Sequence, residues 1–187
     1  MNQKRAEAAV RELLLALDRD VNSEGLKGTP RRVAKMLIEQ CTDKDAEIDV
    51  TFSEEKYNGM VIVRNIPFVS MCEHHLVFFY GKAHVAYIPD KKVLGISKLA
   101  RLVYSCSVGF TIQEQITFQI AERLYTNGNG AGSLGCMVVL EAEHGCMSLR
   151  GARAVGATTI TSEVRGLFKN KPEVRDECLS LMLRGSN

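Results

Sequence analysis

Apolar residues recur at helical spacing in several stretches of the chain, and this spacing predicts helices there. The first predicted helix, from about Gln3 to Asp18, has four apolar residues on one face: Val10, Leu13, Leu14 and Leu17. This face should pack against the body of the protein or a neighbouring subunit. A second helix should have Thr29 as its N-cap and Pro30 at its first position, where a missing N–H costs nothing, and run to about Cys41.

Two further helices are predicted in the middle of the chain and one at its end. The helix that begins near Val93 turns four residues inward: Leu99, Leu102, Val103 and Cys106. The helix from about Thr111 to Tyr125 has apolar residues at four-residue steps: Ile112, Ile116, Ile120 and Leu124. A short helix from Pro172 to Leu183 follows the last predicted strand.

Four stretches rich in β-branched and aromatic residues predict strands: Gly59–Ser70, Gly81–Pro89, Gly135–Leu149 and Thr158–Ser162. On the two-residue period of a strand, one side of the third stretch should carry seven residues without any special bend: Val138, Leu140, Ala142, His144, Cys146, Ser148 and Arg150. The polar stretch Asp43–Glu55 is predicted as a loop, and the glycine-dense stretch Asn127–Ser133 as a turn.

Length and composition are typical of one globular domain with a helical extension. Of the 187 residues, 45% are hydrophobic and 25% are charged, and the formal net charge of +2 gives no reason to expect nucleic acid or membrane as a partner. No apolar run approaches the ~20 residues that a membrane span needs, so a cytoplasmic location is expected. In a reducing cytosol the six cysteines are predicted to be thiols rather than three disulfides.

A cluster of cysteine and histidine lies on the connection between the first two predicted strands, at Cys72, His74 and His75. A later stretch supplies a second imidazole and a second thiol, at His144 and Cys146. Thiolates and imidazoles are the ligands that zinc prefers, and three of them leave the fourth tetrahedral position for water, as in catalytic sites. If His74 or His144 closed the shell as a fourth ligand, the site would instead be structural.

The backbone must bend in the first of these stretches if its ligands are to meet. Residues three apart on a regular strand point to opposite faces, so Cys72 and His75 can bind one ion only at a turn. The other four cysteines have no Cys or His partner at ligand spacing and are predicted as core thiols: Cys41, Cys106, Cys136 and Cys178.

Polar residues at two predicted helix starts are candidates for binding an anion or a base. Ser97, Lys98 and Arg101 combine a hydroxyl, two cations and free backbone N–H groups, which suits a polyphosphate, although most such cations are simply solvated. Glu114 lies in the first turn of the next helix, where an acid ordinarily complements the helix dipole.

Five separated motifs closely resemble the GTP cyclohydrolase I family, in the family's order: Ser70–His75, Gly81–Pro89, Gly95–Arg101, Gln113-Glu114 and His144–Gly151. The resemblance implies an α+β tunnelling fold, with a four-stranded antiparallel sheet, helices on one side, and subunits joined edge to edge into a barrel. Residues 1–42 would be an N-terminal helical extension and residues 43–187 the catalytic domain. The family is typically a homodecamer of two pentamers with active sites between subunits.

The resemblance also implies a zinc-dependent reaction, the hydrolysis of GTP to 7,8-dihydroneopterin triphosphate and formate, which begins tetrahydrofolate-type pterin biosynthesis. Cys72, His75 and Cys146 match the zinc ligands, and the ion would acidify a water molecule that attacks C8 of the guanine ring. His144 matches the acid that protonates N7, and His74 matches the second histidine that assists ring opening.

The remaining matches concern substrate binding. The family positions that hold the triphosphate and ribose end of GTP match Ser97, Lys98, Arg101 and Arg150. Ser97 is also predicted to be a catalytic residue. Glu114, with Gln113, matches the guanine anchor, because a carboxylate can accept from both N1–H and the exocyclic amine.

The sequence departs from the family at Gly109 and Gln115, where arginine is usual, so two positive charges near the triphosphate or a subunit contact are missing. Two alternatives remain open. One is a divergent tunnelling-fold enzyme that supplies deazaguanine synthesis, and the other is a non-catalytic assembly protein stabilised by zinc.

Overall fold

The computed structural model describes four ranges of the chain: 1–42, 57–90, 93–126 and 132–183. The predicted loop Asp43–Glu55 and most of the predicted turn Asn127–Ser133 lie outside these ranges. Contacts between residues divide the chain into two units, Met1–Asp43 and Lys44–Asn187. Within the described ranges, no helix is both long and apolar enough to cross a membrane.

The first unit consists of two helices, α1 (Gln3–Ala16) and α2 (Thr29–Cys41). Both were predicted, but the N-cap of α2 is Gly28 and not Thr29. The Thr29 hydroxyl donates to the Gly25 carbonyl at 3.5 Å and accepts from Arg32 Nη2 at 2.9 Å, and it does not cap the helix. Among the described residues, no side chain of α1 is buried, so the packing predicted for its apolar face stays a prediction.

The second unit is built on a five-stranded sheet in the order β3-β1-β2-β4-β5. Four long strands pair antiparallel, as predicted: β1 (Val61–Cys72), β2 (Phe78–Pro89), β4 (Ser133–His144) and β5 (Thr158–Gly166). The short β3 (Phe110–Thr111) was not predicted and pairs parallel with the end of β1. This pairing matters for the site because it joins Cys72 to Thr111.

Two helices cover one face of the sheet, α3 (Ile96–Ser107) and α4 (Gln113–Tyr125). All the residues predicted to point inward from α3 are buried, and so are Ile116, Ile120 and Leu124 of α4. Each helix starts two or three residues later than predicted, so Ile112 is the N-cap of α4 and not part of it. The periodicity therefore predicted the buried faces better than the helix ends.

The other face of the sheet is covered at one end by α6 (Leu167–Asn170) and α7 (Pro172–Leu183). This differs from the expectation of helices on one side only. Successive residues of β2 alternate between the faces, so Ala86 and Ile88 lie opposite Val85 and Tyr87. Because both sets are apolar, the second face also needs a cover, which Phe168 and its neighbours provide.

All six cysteines are free thiols, as predicted. Burial raises the pKa of Cys136 and of Cys178 to about 12, so these two are inert core residues. Cys106 is also buried, whereas Cys41 is only half-buried and so differs from the core thiol that was predicted.

Candidate metal centre

A closed turn after β1 brings the first two candidate ligands together. Cys72 is the last residue of β1, its N–H donates to the Val77 carbonyl at 3.0 Å, and its carbonyl accepts from the Leu76 N–H at 2.9 Å. Leu76 adopts a left-handed φ of 52°, which completes the bend. Within this turn the Cys72 Sγ lies 3.8 Å from His75 Nδ1, so the predicted bend is confirmed.

The third ligand comes from a short helix rather than a strand. Strand β4 ends at His144 and is followed by α5 (Gly145–Ser148). The prediction that Cys146, Ser148 and Arg150 continue the alternation of the strand is therefore wrong. The physical reason is close packing: a Cβ on Gly145 would lie 2.6 Å from Val77 Cγ1. Only glycine lets the chain turn here against the start of β2.

The two stretches converge on one point, as the metal hypothesis requires. The ligand atoms of Cys72, His75 and Cys146 all lie within 4.8 Å of one another. In a tetrahedral zinc site, with metal–ligand distances of about 2.0–2.3 Å, neighbouring ligand atoms are separated by roughly 3.5–3.8 Å. Cys72 is buried, Cys146 is half-buried and His75 is exposed, so the group faces solvent on one side.

The electrostatics of the two sulfurs also favour a cation. Burial raises the pKa of the Cys146 thiol, and the neighbouring Cys72 raises it further, while Arg150 acts in the opposite direction. Two thiolates this close repel each other unless a positive ion lies between them. Two sulfurs and one imidazole nitrogen form a donor set that zinc prefers, so the residues present fit such an ion.

His74 and His144 are the two histidines that could supply a fourth ligand. Among the described residues, neither belongs to the group of possible metal ligands. The side chain of His74 is 65% exposed, and its Nδ1 lies 3.9 Å from the Cys72 Sγ. The Nε2 of His144 lies 2.8 Å from the Gln113 Oε1, and its ring stacks on Phe79 with centroids 4.5 Å apart. The arrangement therefore offers three side chains as ligands, the number typical of catalytic zinc sites.

The predicted guanine anchor lies beside His144, at the start of α4. Burial lowers the pKa of the His144 imidazole, and the exposed carboxylate of Glu114 has a smaller, opposite effect. Gln113, in contrast, is buried. The contacts of Gln113 and the stacking of Phe79 on His144 could not be predicted from the sequence. They depend on the register of β2 against β4, in which Phe79 pairs with His144.

The residues predicted to bind the triphosphate lie on other elements. Ser97 and Lys98 are in the first turn of α3, and Arg101 lies one turn further. Arg150 follows α5, and its charge reaches Cys146. Among the described residues, no hydrogen bond or ion pair joins Ser97, Lys98 or Arg101 to the metal group. Their role stays a prediction.

Three side chains that could hold a metal ion, with two histidines and an exposed carboxylate near them in the fold, are an arrangement typical of a metal-dependent enzyme. The chain belongs to the GTP cyclohydrolase I family, whose sequence profile matches residues 6–183. It is 47% identical to GTP cyclohydrolase 1 of Streptococcus agalactiae serotype V, over 98% of this chain and 99% of that protein. It is 48% identical to GTP cyclohydrolase 1 of Mycobacterium ulcerans, over 98% of this chain and 92% of that protein.

One solved structure, the apo form of the archaeosine synthase QueF-Like, is also similar to this chain. The match covers 59% of this chain and 97% of that one, with 17% sequence identity and a TM-score of 0.47. A similarity of this size has no bearing on the function.

Proposed function

We propose that this protein hydrolyses GTP to 7,8-dihydroneopterin triphosphate and formate, with a zinc ion held by Cys72, His75 and Cys146. The observation that carries the proposal is the convergence of these three ligand atoms, from two distant stretches, in a member of the GTP cyclohydrolase I family. When bound, zinc supplies Lewis-acid chemistry that makes water acidic enough to act as a nucleophile near neutral pH.

The two histidines beside the ligands are suited to moving protons while the imidazole ring of guanine opens. An imidazole both gives and accepts protons near neutral pH, because its unperturbed pKa is ~6.5. His144 is held by a hydrogen bond and by stacking, so it is the better oriented of the two and is assigned to N7. His74 is exposed next to Cys72 and is assigned to the later proton transfers.

Glu114 is assigned to guanine recognition. Its carboxylate is exposed at the N-terminus of α4, where it can accept hydrogen bonds from N1–H and the exocyclic amine together. Adenine does not offer that pair of donors, so the contact selects guanine. Lys98, Arg101 and Arg150 are assigned to the triphosphate, with Ser97 contributing its hydroxyl near the ribose.

We also propose that the unit of function is an oligomeric barrel of the tunnelling fold, assembled from two pentamers as the resemblance to the family implies. The long edge strand β5 supports this, because an unpaired edge of this length invites pairing with another chain. Because the resemblance implies active sites between subunits, we propose that α3 of one subunit contributes its cations to the metal group of the next. Free cysteines throughout suit the reducing conditions of the cytoplasm.

Incubating the purified, zinc-loaded chain with GTP tests the proposed function. We expect release of formate together with a pterin that becomes fluorescent after oxidation, no reaction with ATP, and loss of activity on chelation that added zinc restores. A protein with one zinc per chain and no turnover of GTP would contradict the proposal and favour the assembly protein. Turnover of another nucleotide in preference to GTP would favour the divergent enzyme.

A further inference from the structure

Gln113 is held in one orientation by the backbone of the sheet. Its side chain is 1% exposed, and its amide nitrogen donates to the Leu140 carbonyl at 3.2 Å and to the Thr159 carbonyl at 3.0 Å. Backbone carbonyls only accept hydrogen bonds, so the nitrogen end of the amide must face them. The amide oxygen therefore faces the other way, towards His144.

Two threonine hydroxyls agree with this orientation. Thr117 Oγ1 donates to the backbone carbonyl of Gln113 at 2.8 Å, which commits its hydrogen. Thr161 Oγ1 lies 2.6 Å from Thr117 Oγ1, so it donates to Thr117 and is free to accept from the Gln113 amide at 3.1 Å. Reversing the amide would place its oxygen against two carbonyl oxygens, which is strongly unfavourable.

This orientation determines which nitrogen of His144 carries a hydrogen. Gln113 Oε1 lies 2.8 Å from His144 Nε2, and an amide oxygen only accepts, so Nε2 must be protonated. In the neutral ring the lone pair then lies on Nδ1. The ring plane is fixed as well, because it stacks on the buried Phe79 at an interplanar angle of 4°.

We propose that Gln113 is a positioning residue that holds His144 in the Nε2–H tautomer, so that Nδ1 is the ring atom that exchanges protons with the substrate. This rests on the proposed function, because His144 acts on GTP only if the chain is a cyclohydrolase. Gln113 then does not read the guanine base, since its two amide hydrogens are shared among three acceptors in the protein, on Leu140, Thr159 and Thr161. Recognition of the base falls to Glu114.

The tautomer can be read directly by solid-state 15N NMR of the zinc-loaded full-length protein labelled at histidine. The chain has four histidines, and a His144→Ala sample identifies the two signals of His144 by their loss. At about pH 8.5, above the ordinary imidazole pKa of ~6.5, we expect a protonated Nε2 and a bare Nδ1. A protonated Nδ1 with a bare Nε2 would overturn the proposal, whether or not the protein hydrolyses GTP.

Steady-state kinetics of Gln113→Met provide the second test, because methionine keeps the length of the side chain and removes its hydrogen bonds. We expect kcat to fall about 10- to 100-fold, as for other groups that orient a reacting side chain, with little change in KM for GTP. The NMR spectrum should show both tautomers of His144. Gln119→Met, the same substitution further along α4, is the matched control and should change neither quantity.

The alternative roles of Gln113 give different results. A raised KM with unchanged kcat would assign Gln113 to guanine binding and overturn the proposal. If Gln113→Met fails to fold, the spectrum of the wild-type protein still decides the tautomer. A wild-type protein that shows the Nε2–H tautomer but does not hydrolyse GTP would refute the proposed function and leave the positioning of His144 by Gln113 supported.

Discussion

At the scale of single residues, the metal hypothesis depends most on Cys146, because it is the only one of the three ligands that comes from the second stretch. Replacing its thiol in Cys146→Ser leaves two ligands from the chain. We expect zinc content to fall well below one ion per chain and turnover of GTP to fall at least about 1,000-fold, since metal polarisation contributes several kcal/mol. Elemental analysis and the formate assay measure both quantities.

Cys41→Ser is the control for this variant, since Cys41 is also half-buried but lies outside the group of ligands. It should retain zinc and activity. A Cys146→Ser protein that keeps a full complement of zinc would show that another side chain supplies the third ligand.

Glu114 is the residue on which base recognition depends. Glu114→Ala removes the acceptor for N1–H and the exocyclic amine, and hydrogen bonds to charged groups contribute about 1.5–3 kcal/mol. We expect kcat/KM for GTP to fall about 10- to 100-fold, and discrimination against other purine nucleotides to fall with it, while zinc content stays unchanged. Competition kinetics with ATP and inosine triphosphate measure the discrimination.

The simpler role of an acid at a helix start, complementing the dipole, is tested by Glu173→Ala. Glu173 lies in the first turn of α7 as Glu114 lies in that of α4. If both variants lose a little stability and neither changes the kinetics, Glu114 is not the guanine anchor.

At the scale of elements, the periodicity of the sequence correctly predicted which helix residues are buried, but it did not predict where the helices and strands begin and end. Apolar residues recur at helical spacing in α3 and α4 because one face of each helix is buried in the core. That spacing was enough to predict the buried faces. The end of β4 at His144 could not be predicted, because the alternating pattern continues beyond it. At the strand end Gly145 packs closely against Val77 and Phe78, which is a contact between residues far apart in the sequence.

Gly145→Ala tests whether this fit positions the third ligand. The added Cβ would lie 2.6 Å from Val77 Cγ1 and 2.7 Å from the Phe78 carbonyl, so α5 must move away from β2. We expect zinc affinity to fall about 10- to 100-fold, because Cys146 moves with α5, while circular dichroism shows an intact fold. Titration of the apo protein with zinc against a competing chelator measures the affinity.

Gly25→Ala is the control, because nothing lies within 4 Å of a Cβ added there. It should bind zinc as the wild-type protein does. Unchanged affinity in Gly145→Ala as well would mean that Cys146 reaches the ion without the close packing of α5.

At the scale of the whole molecule, the motifs in the sequence identified the family and three residues that the fold brings together as a possible metal group, but not how a complete site is assembled. One described chain brings Cys72, His75 and Cys146 together, and it also brings Gln113 and Glu114 close to His144. In the part of the chain that the structure describes, no hydrogen bond or ion pair joins the cations of α3 to this group. No pattern along one chain can show which residues meet across a subunit boundary, so this division of the site is a prediction about the assembly.

Mixing inactive variants tests that division. If each site takes its metal ligands from one subunit and its α3 cations from a neighbour, co-expressed Cys146→Ser and Lys98→Ala chains should form some intact sites. With random mixing in equal amounts, about one quarter of the sites would be intact, so about one quarter of wild-type activity should return. Light scattering should also show a mass several times the 20.7 kDa of one chain.

The control is a mixture of Cys146→Ser with His75→Ala, two variants that both damage the metal group, and it should recover no activity. Equal inactivity of both mixtures would place Lys98 and Cys146 in a site within one chain.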